Sequence, residues 1–168
     1  WINGEPLDSV VYRSACDYGV LSREFDKMAL KHIQSRGIHG DIKPENIIVT
    51  TSGAMKLVDN DSQPVNSQGN CRAKDYGSSY YAHRLRSLRR TDEYTDYYPL
   101  ALLSALVAAL KYSPTFIDEV RSMDEYIADA TTILRDNGDY AHYNMLVELQ
   151  RSIMGKVENL EELMREAV

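Results

Sequence analysis

From Tyr98 to Leu110 the chain reads YPLALLSALVAAL, thirteen residues in which Ser104 is the sole hydroxyl-bearing aliphatic residue and no charge occurs. A run this apolar cannot sit on a wet surface, and it falls short of the ~20 residues a helix needs to cross a bilayer. It is therefore expected as a helix, from about Asp96 to Lys111, buried on every side and wrapped by other elements. Those wrapping elements need one apolar face each, and the sequence supplies them.

Upstream, Leu21, Phe25, Met28, Ala29 and Ile33 recur at helical spacing over Ser22 to Arg36, with Gly37 placed to stop the helix. Before it, LDSVVYRSACD reads as a short helical stretch with Asp8 positioned to cap it. Downstream, Ile117, Val120, Ile127 and Leu134 mark a further helix ended by Asn137-Gly138, and Tyr143 to Val168 carries one apolar face with a break near Gly155. Between the early and late helices, Ile47–Val49 and Met55–Val58 are short apolar runs around TTSGA, the pattern of a tight β-hairpin. Residues 60–79 are rich in Asn, Ser, Gly and Gln and read as one long loop. The expected fold is mainly α with one small hairpin.

With 168 residues, 43% of them hydrophobic and 26% charged, one globular domain is expected. The net charge of −6 argues against a nucleic-acid partner held by bulk electrostatics. Cys16 and Cys71 lie 55 positions apart with no paired spacing, so neither a disulfide framework nor a zinc site is indicated, and a reducing, cytoplasmic setting is expected. The first residues, WINGEPLD, lack the basic and apolar regions of a signal peptide, and no membrane partner is expected.

The chemistry concentrates in Ile38–Val49, IHGDIKPENIIV. Asp41, Lys43 and Asn46 fall within six residues, and Pro44 stiffens the loop by fixing its own φ and restricting Lys43 before it. Asp59 follows the second hairpin run and is placed to face Asp41 and Asn46 across a short gap. Two carboxylates, an amide oxygen and an ammonium suit a hard cation such as Mg²⁺, which takes one or two carboxylates and completes its shell with water and phosphate oxygens. In that arrangement Asn46 and Asp59 hold the metal, Lys43 neutralises a phosphoryl group, and Asp41 positions a hydroxyl and accepts its proton. His39 is expected to pack in the core and bond to backbone.

HGDIKPENIIV resembles the catalytic loop of the protein kinases, whose signature is His-Arg-Asp, four residues, then Asn, with Lys-Pro inside it in serine/threonine members. KLVDND puts Asp59 where that family opens its magnesium-binding Asp-Phe-Gly triplet, 18 residues after Asp41. The resemblance implies a kinase-like C-terminal lobe over 1–168, with a hinge at 1–8, catalytic and metal-binding loops at 38–61, an activation segment at 62–93 and a helical remainder at 94–168. It places ATP against Trp1 and Ile2 of WINGEPL, with Ile48 under the base and Val58 lining the pocket. YTDYYPLA is similar to the start of the central helix, whose Asp, here Asp96, would brace the catalytic loop. What it implies in function is Mg²⁺-dependent transfer of the ATP γ-phosphoryl group to a Ser or Thr of a protein substrate.

Departures from the pattern carry their own implications. Gly40 stands in place of the family's Arg, which removes the cation that waits for a phosphorylated activation loop. Asn60 and Asp61 replace Phe and Gly, and Ala82-His83-Arg84 replaces Ala-Pro-Glu. Only 58 residues follow Leu110, without the family's Asp-Pro-x-x-Arg-Pro, so a shortened lower lobe is expected. No Gly-rich loop, strand Lys or helix Glu precedes Trp1, and the chain is read as the C-terminal lobe of a longer kinase. Two other readings stay open. One is a small-molecule kinase of the aminoglycoside or choline type, which also favours Gly between His and Asp but is opposed by Lys43-Pro44 and the long loop to Tyr80. The other is a pseudokinase acting as a scaffold or nucleotide sensor.

Overall fold

The computed structural model describes residues 2–13, 16–59, 80–85 and 91–168. Expectations that fall on Trp1, on the loop 60–79 and on residues 86–90 lie outside the described residues. What is described is mainly helical, with a small antiparallel sheet of strands β1 (Gly4–Pro6), β2 (Ile47–Thr50) and β3 (Met55–Leu57) in that spatial order.

The apolar run forms helix α3 (Tyr97–Ala109), and Leu100–Ala105 and Val107–Ala109 are all buried. Leu and Ala keep their rotamer freedom in a helix, and Pro99 sits in the first turn, where its missing N–H has no intrahelical partner to lose. Helices α2 (Tyr18–Ser35), α4 (Met123–Asp136) and α5 (Tyr140–Arg151) pack around α3, and α6 (Leu160–Ala167) closes the far side against α2 and α5. Each lays down a narrow apolar face, such as Leu21, Phe25, Met28, Ala29 and Ile33 of α2 and Met145, Leu146 and Leu149 of α5. Among the described residues no helix is long and apolar enough to cross a membrane.

Helix ends explain most differences from the expected boundaries. Helix α2 starts at Tyr18, ahead of Ser22, because the Asp17 carboxylate accepts from Gly19 N and Val20 N at 3.0 Å. It ends at Ser35, and Arg36, one residue before the Gly37 expected to stop the helix, caps it in the left-handed conformation (φ 53°). Helix α4 begins six residues after Ile117, with Ser122 and Glu125 forming a reciprocal capping box, so Ile117 and Val120 lie outside it and Val120 is fully exposed. The break in the last segment is wider than expected: α5 stops at Arg151, a 3₁₀ turn spans Ile153–Gly155, and α6 resumes at Leu160.

Two further expectations are corrected. The hairpin is the larger part of a three-stranded sheet, because Gly4–Pro6 pairs with β2 in the register Gly4 with Thr50 and Pro6 with Ile48. Gly4 permits this approach, since a Cβ there would come within 2.4 Å of the Val49 carbonyl. Asp8 does not cap helix α1 (Leu7–Val11): the capping position is Pro6, and no side-chain cap forms. Asp8 instead lines a cleft together with residues of α1, α3 and α4, and its Oδ1 is buried without a hydrogen-bond partner among the described residues.

Candidate active site

The loop from Ile38 to Asn46 leaves α2 and enters β2 through a 3₁₀ turn, Pro44–Asn46. Asp96, the residue before α3, fixes its course. One carboxylate oxygen accepts from His39 N at 2.6 Å and from His32 Nε2 at 2.8 Å, and the other accepts from Gly40 N at 2.8 Å. Asp96 is 2% exposed, so three donors converge on a carboxylate that has almost no water. Two consecutive loop amides are thereby anchored to the residue that precedes the buried helix α3. Gly40 meets this geometry with φ +84°.

His39 is fully buried and links the two halves of the site. Its Nδ1 accepts from Asp41 N at 3.3 Å, which leaves the proton on Nε2 to be donated to the Val58 carbonyl at 2.7 Å. Val58 N in turn donates to the Asn46 carbonyl at 2.9 Å. The residue before Asp59 is thus tied to both ends of the loop that carries Asp41 and Asn46. Asp59 itself is exposed and has φ +64°, a left-handed conformation uncommon outside glycine though tolerated by Asp.

Lys43 Nζ lies 2.8 Å from Asp41 Oδ2. The Asn46 amide nitrogen, 6% exposed as a residue, donates to the Asp41 carbonyl at 2.9 Å and reaches Oδ2 at 3.3 Å, which turns its Oδ1 away from Asp41. The hydrogen bond that Lys43 donates to Asp41 pushes its amine above the usual range, and the charges of Asp41, Glu45 and Asp59 add to it.

Of the residues singled out in the sequence, the structure gathers His39, Asp41, Lys43, Asn46, Val58 and Asp96 into one hydrogen-bonded unit with Asp59 beside it. Ile48 is half-buried on β2 opposite Lys56, and Ile2 lies exposed ahead of β1. Among the described residues no group of three or more His, Cys, Asp or Glu side chains is arranged to hold a metal ion. A site built on one carboxylate and one amide oxygen does not require such a group. Sequence reasoning missed His32, whose tie to Asp96 spans 64 positions and leaves no local signal. Neither a family model nor a curated protein matches the chain.

Proposed function

We propose that the chain is a protein-kinase-like C-terminal lobe and that it transfers the γ-phosphoryl group of ATP to a serine or threonine hydroxyl of a protein substrate. The observation that carries this reading is the Asp41 carboxylate flanked by the Lys43 ammonium and the Asn46 amide on a loop that Asp96 holds rigid. A carboxylate that is held, partly exposed and next to a cation suits a group that orients a hydroxyl and takes its proton. Lys43 sits where it can offset the charge of a phosphoryl group arriving at Asp41.

The donor set fits a magnesium ion. Asn46 Oδ1 and the exposed Asp59 carboxylate are hard oxygen ligands on either side of the Val58 bridge and would hold it, with water and phosphate oxygens completing the shell. The ion would supply charge neutralisation on the phosphate oxygens. Everything else in the reaction falls to the protein: Asp96 and His39 set the loop, Asn46 steadies Asp41, and Asp41 receives the proton. Ile48 and Val58 are the candidates for the apolar surface under the adenine.

Transfer of labelled phosphate from ATP and Mg²⁺ to serine and threonine peptides, by the protein in its full-length context, tests the reading. Asp41→Ala is expected to lower the rate at least ~100-fold, the scale of one positioned acid–base group, and Asp59→Asn to lower it by a similar factor, at least ~100-fold, by weakening the hold on the ion that neutralises the phosphate charge. Equal transfer by all three proteins refutes it. Nucleotide binding with no transfer points to the scaffold, and transfer to aminoglycosides or choline in place of peptides points to a small-molecule kinase.

A further inference from the structure

The 3₁₀ turn Ile153–Gly155 has an unusual backbone. Two successive residues, Met154 at φ +57° and Gly155 at φ +79°, are left-handed, and a methionine keeps that conformation only where its surroundings impose it. Gly155 is buried and presents bare main chain. A Cβ there would lie 2.5 Å from the His83 Cβ, 3.0 Å from its Cγ and 3.2 Å from Tyr98 Cδ2. The turn is therefore a socket, and the side chain seated in it is His83.

Two further contacts hold His83. Its ring meets Tyr98 edge to face, with centroids 5.3 Å apart and planes at 77°, and its Nδ1 accepts from Leu85 N at 3.1 Å. Tyr98 lies in the first turn of α3, two residues after the Asp96 that holds the His39 and Gly40 amides. The start of α3 thus anchors both the Asp41 loop and the segment 80–85. That segment borders the candidate site. Tyr81, two residues before His83, is half-buried and lines a cleft of about 180 Å³ together with Pro44 of the Asp41 loop and Leu103 and Val107 of α3. Burial first, then the charge of Glu45, push the Tyr81 hydroxyl up to about 12. Tyr80 packs edge to face on Tyr81 at 5.2 Å and donates to the Arg121 carbonyl at 3.4 Å.

We propose that His83 is a positioning residue: locked between Gly155 and Tyr98, it holds Tyr81 at the cleft shared with Pro44 and so sets the surface that a polypeptide meets beside Asp41. The polypeptide rests on the phosphotransferase reading, and the lock rests on the geometry alone. His83 acts through Tyr81 and not on the reacting atoms. A contact of that kind serves the ground state and the transition state alike, so its loss appears in KM and not in kcat. A His83 that merely fills space would change stability and leave both constants alone.

Steady-state phosphate transfer from ATP and Mg²⁺ to a serine peptide would be compared for the full-length protein, His83→Ala and His83→Phe. Alanine removes the ring and keeps the Cβ, whereas phenylalanine keeps both and removes only the bond from Leu85. In His83→Ala the peptide KM should rise about two- to tenfold, the worth of one edge-to-face pair, with kcat and the KM for ATP within about twofold of the parent. His83→Phe should restore the parent KM. An unchanged peptide KM in His83→Ala overturns the inference, as does a KM raised equally in both variants or a kcat that falls with it. Hydrogen exchange of the fragment spanning 80–85 reads the lock without catalysis. It should quicken in His83→Ala and in Gly155→Ala, whose new Cβ displaces His83, and should match the parent in His83→Phe apart from the Leu85 amide. Equal exchange in all four proteins overturns the lock. The expected order of exchange in a protein that transfers no phosphate keeps the lock and removes the kinase.

Discussion

Replacing His142 by Gln tests the polar network at the heart of the helical packing. His142 is 3% exposed, and both its ring nitrogens meet carboxylates: Nδ1 lies 2.6 Å from Asp139 Oδ1, and Nε2 lies 3.1 Å from Asp26 Oδ2. Asp26 also accepts from Ser104 Oγ at 2.5 Å, and Asp139 is held by Lys111 Nζ at 2.8 Å. Burial alone would lower the imidazole pKa, but the hydrogen bonds to Asp139 and Asp26 outweigh it and raise the value from 6.5 to about 9. For the same reason Asp139, despite its burial, is held below the usual carboxylate range by His142 and Lys111. The folded protein therefore keeps a proton on His142 that the unfolded chain releases near pH 6.5.

Because the folded-state value is the higher one, this contribution is complete below pH 6.5 and is lost as pH rises through about 9. At about 1.36 kcal/mol per pH unit, the proton is worth roughly 3 kcal/mol. The Asp139 shift reports the same contact and is not added. Urea unfolding between pH 6 and pH 10 should show stability falling by that amount across the window. His142→Gln should be less stable by roughly 3 kcal/mol at pH 6 and should lack the fall, so that the two curves converge at high pH. Parallel curves for the two proteins would refute the protonated imidazole.

Gly155 and Gly138 make a matched pair. Both have positive φ, +79° and +74°, but a Cβ at Gly155 would lie 2.5 Å from the His83 Cβ, while nothing lies within 4 Å at Gly138. In denaturation, Gly138→Ala should cost about 1 kcal/mol from conformation alone and Gly155→Ala about 2 to 4 kcal/mol, and equal losses would show that the His83 contact yields freely. Ser122→Ala removes one half of the α4 capping box and should cost about 1 kcal/mol in the same assay.

How far the fold was readable depended on whether the signal was local. The α3 run and the β2–β3 hairpin were, because thirteen uncharged residues and two apolar runs about a turn leave few alternatives. The Ser122–Glu125 box was also present in the sequence, yet the apparent period from Ile117 to Ile127 ran across it. Strand β1 was not readable, since Gly-Glu-Pro has no alternation and becomes a strand only by pairing with residues more than forty positions away. The site divides in the same way. Asp41, Lys43 and Asn46 are legible from spacing, whereas the buried tie of Asp96 to His32 spans 64 positions, as in the core that of His142 to Asp26 spans 116. Asp8 was misread because an acidic residue at a helix start is usually a cap, and only the packing of α1, α3 and α4 shows it facing a cleft.

Gly40 couples the handedness of this loop to its anchor on Asp96. Where the kinase triplet carries arginine, this chain has open space for a side chain but a backbone turned to φ +84°. An arginine introduced there would find room and the wrong handedness, a mismatch of roughly 1 to 2 kcal/mol. Relieving it would mean flipping the peptide between His39 and Asp41, which would pull the Gly40 amide off Asp96. Arginine at this position would therefore gain its charge only by giving up the backbone anchor that Gly40 makes to Asp96.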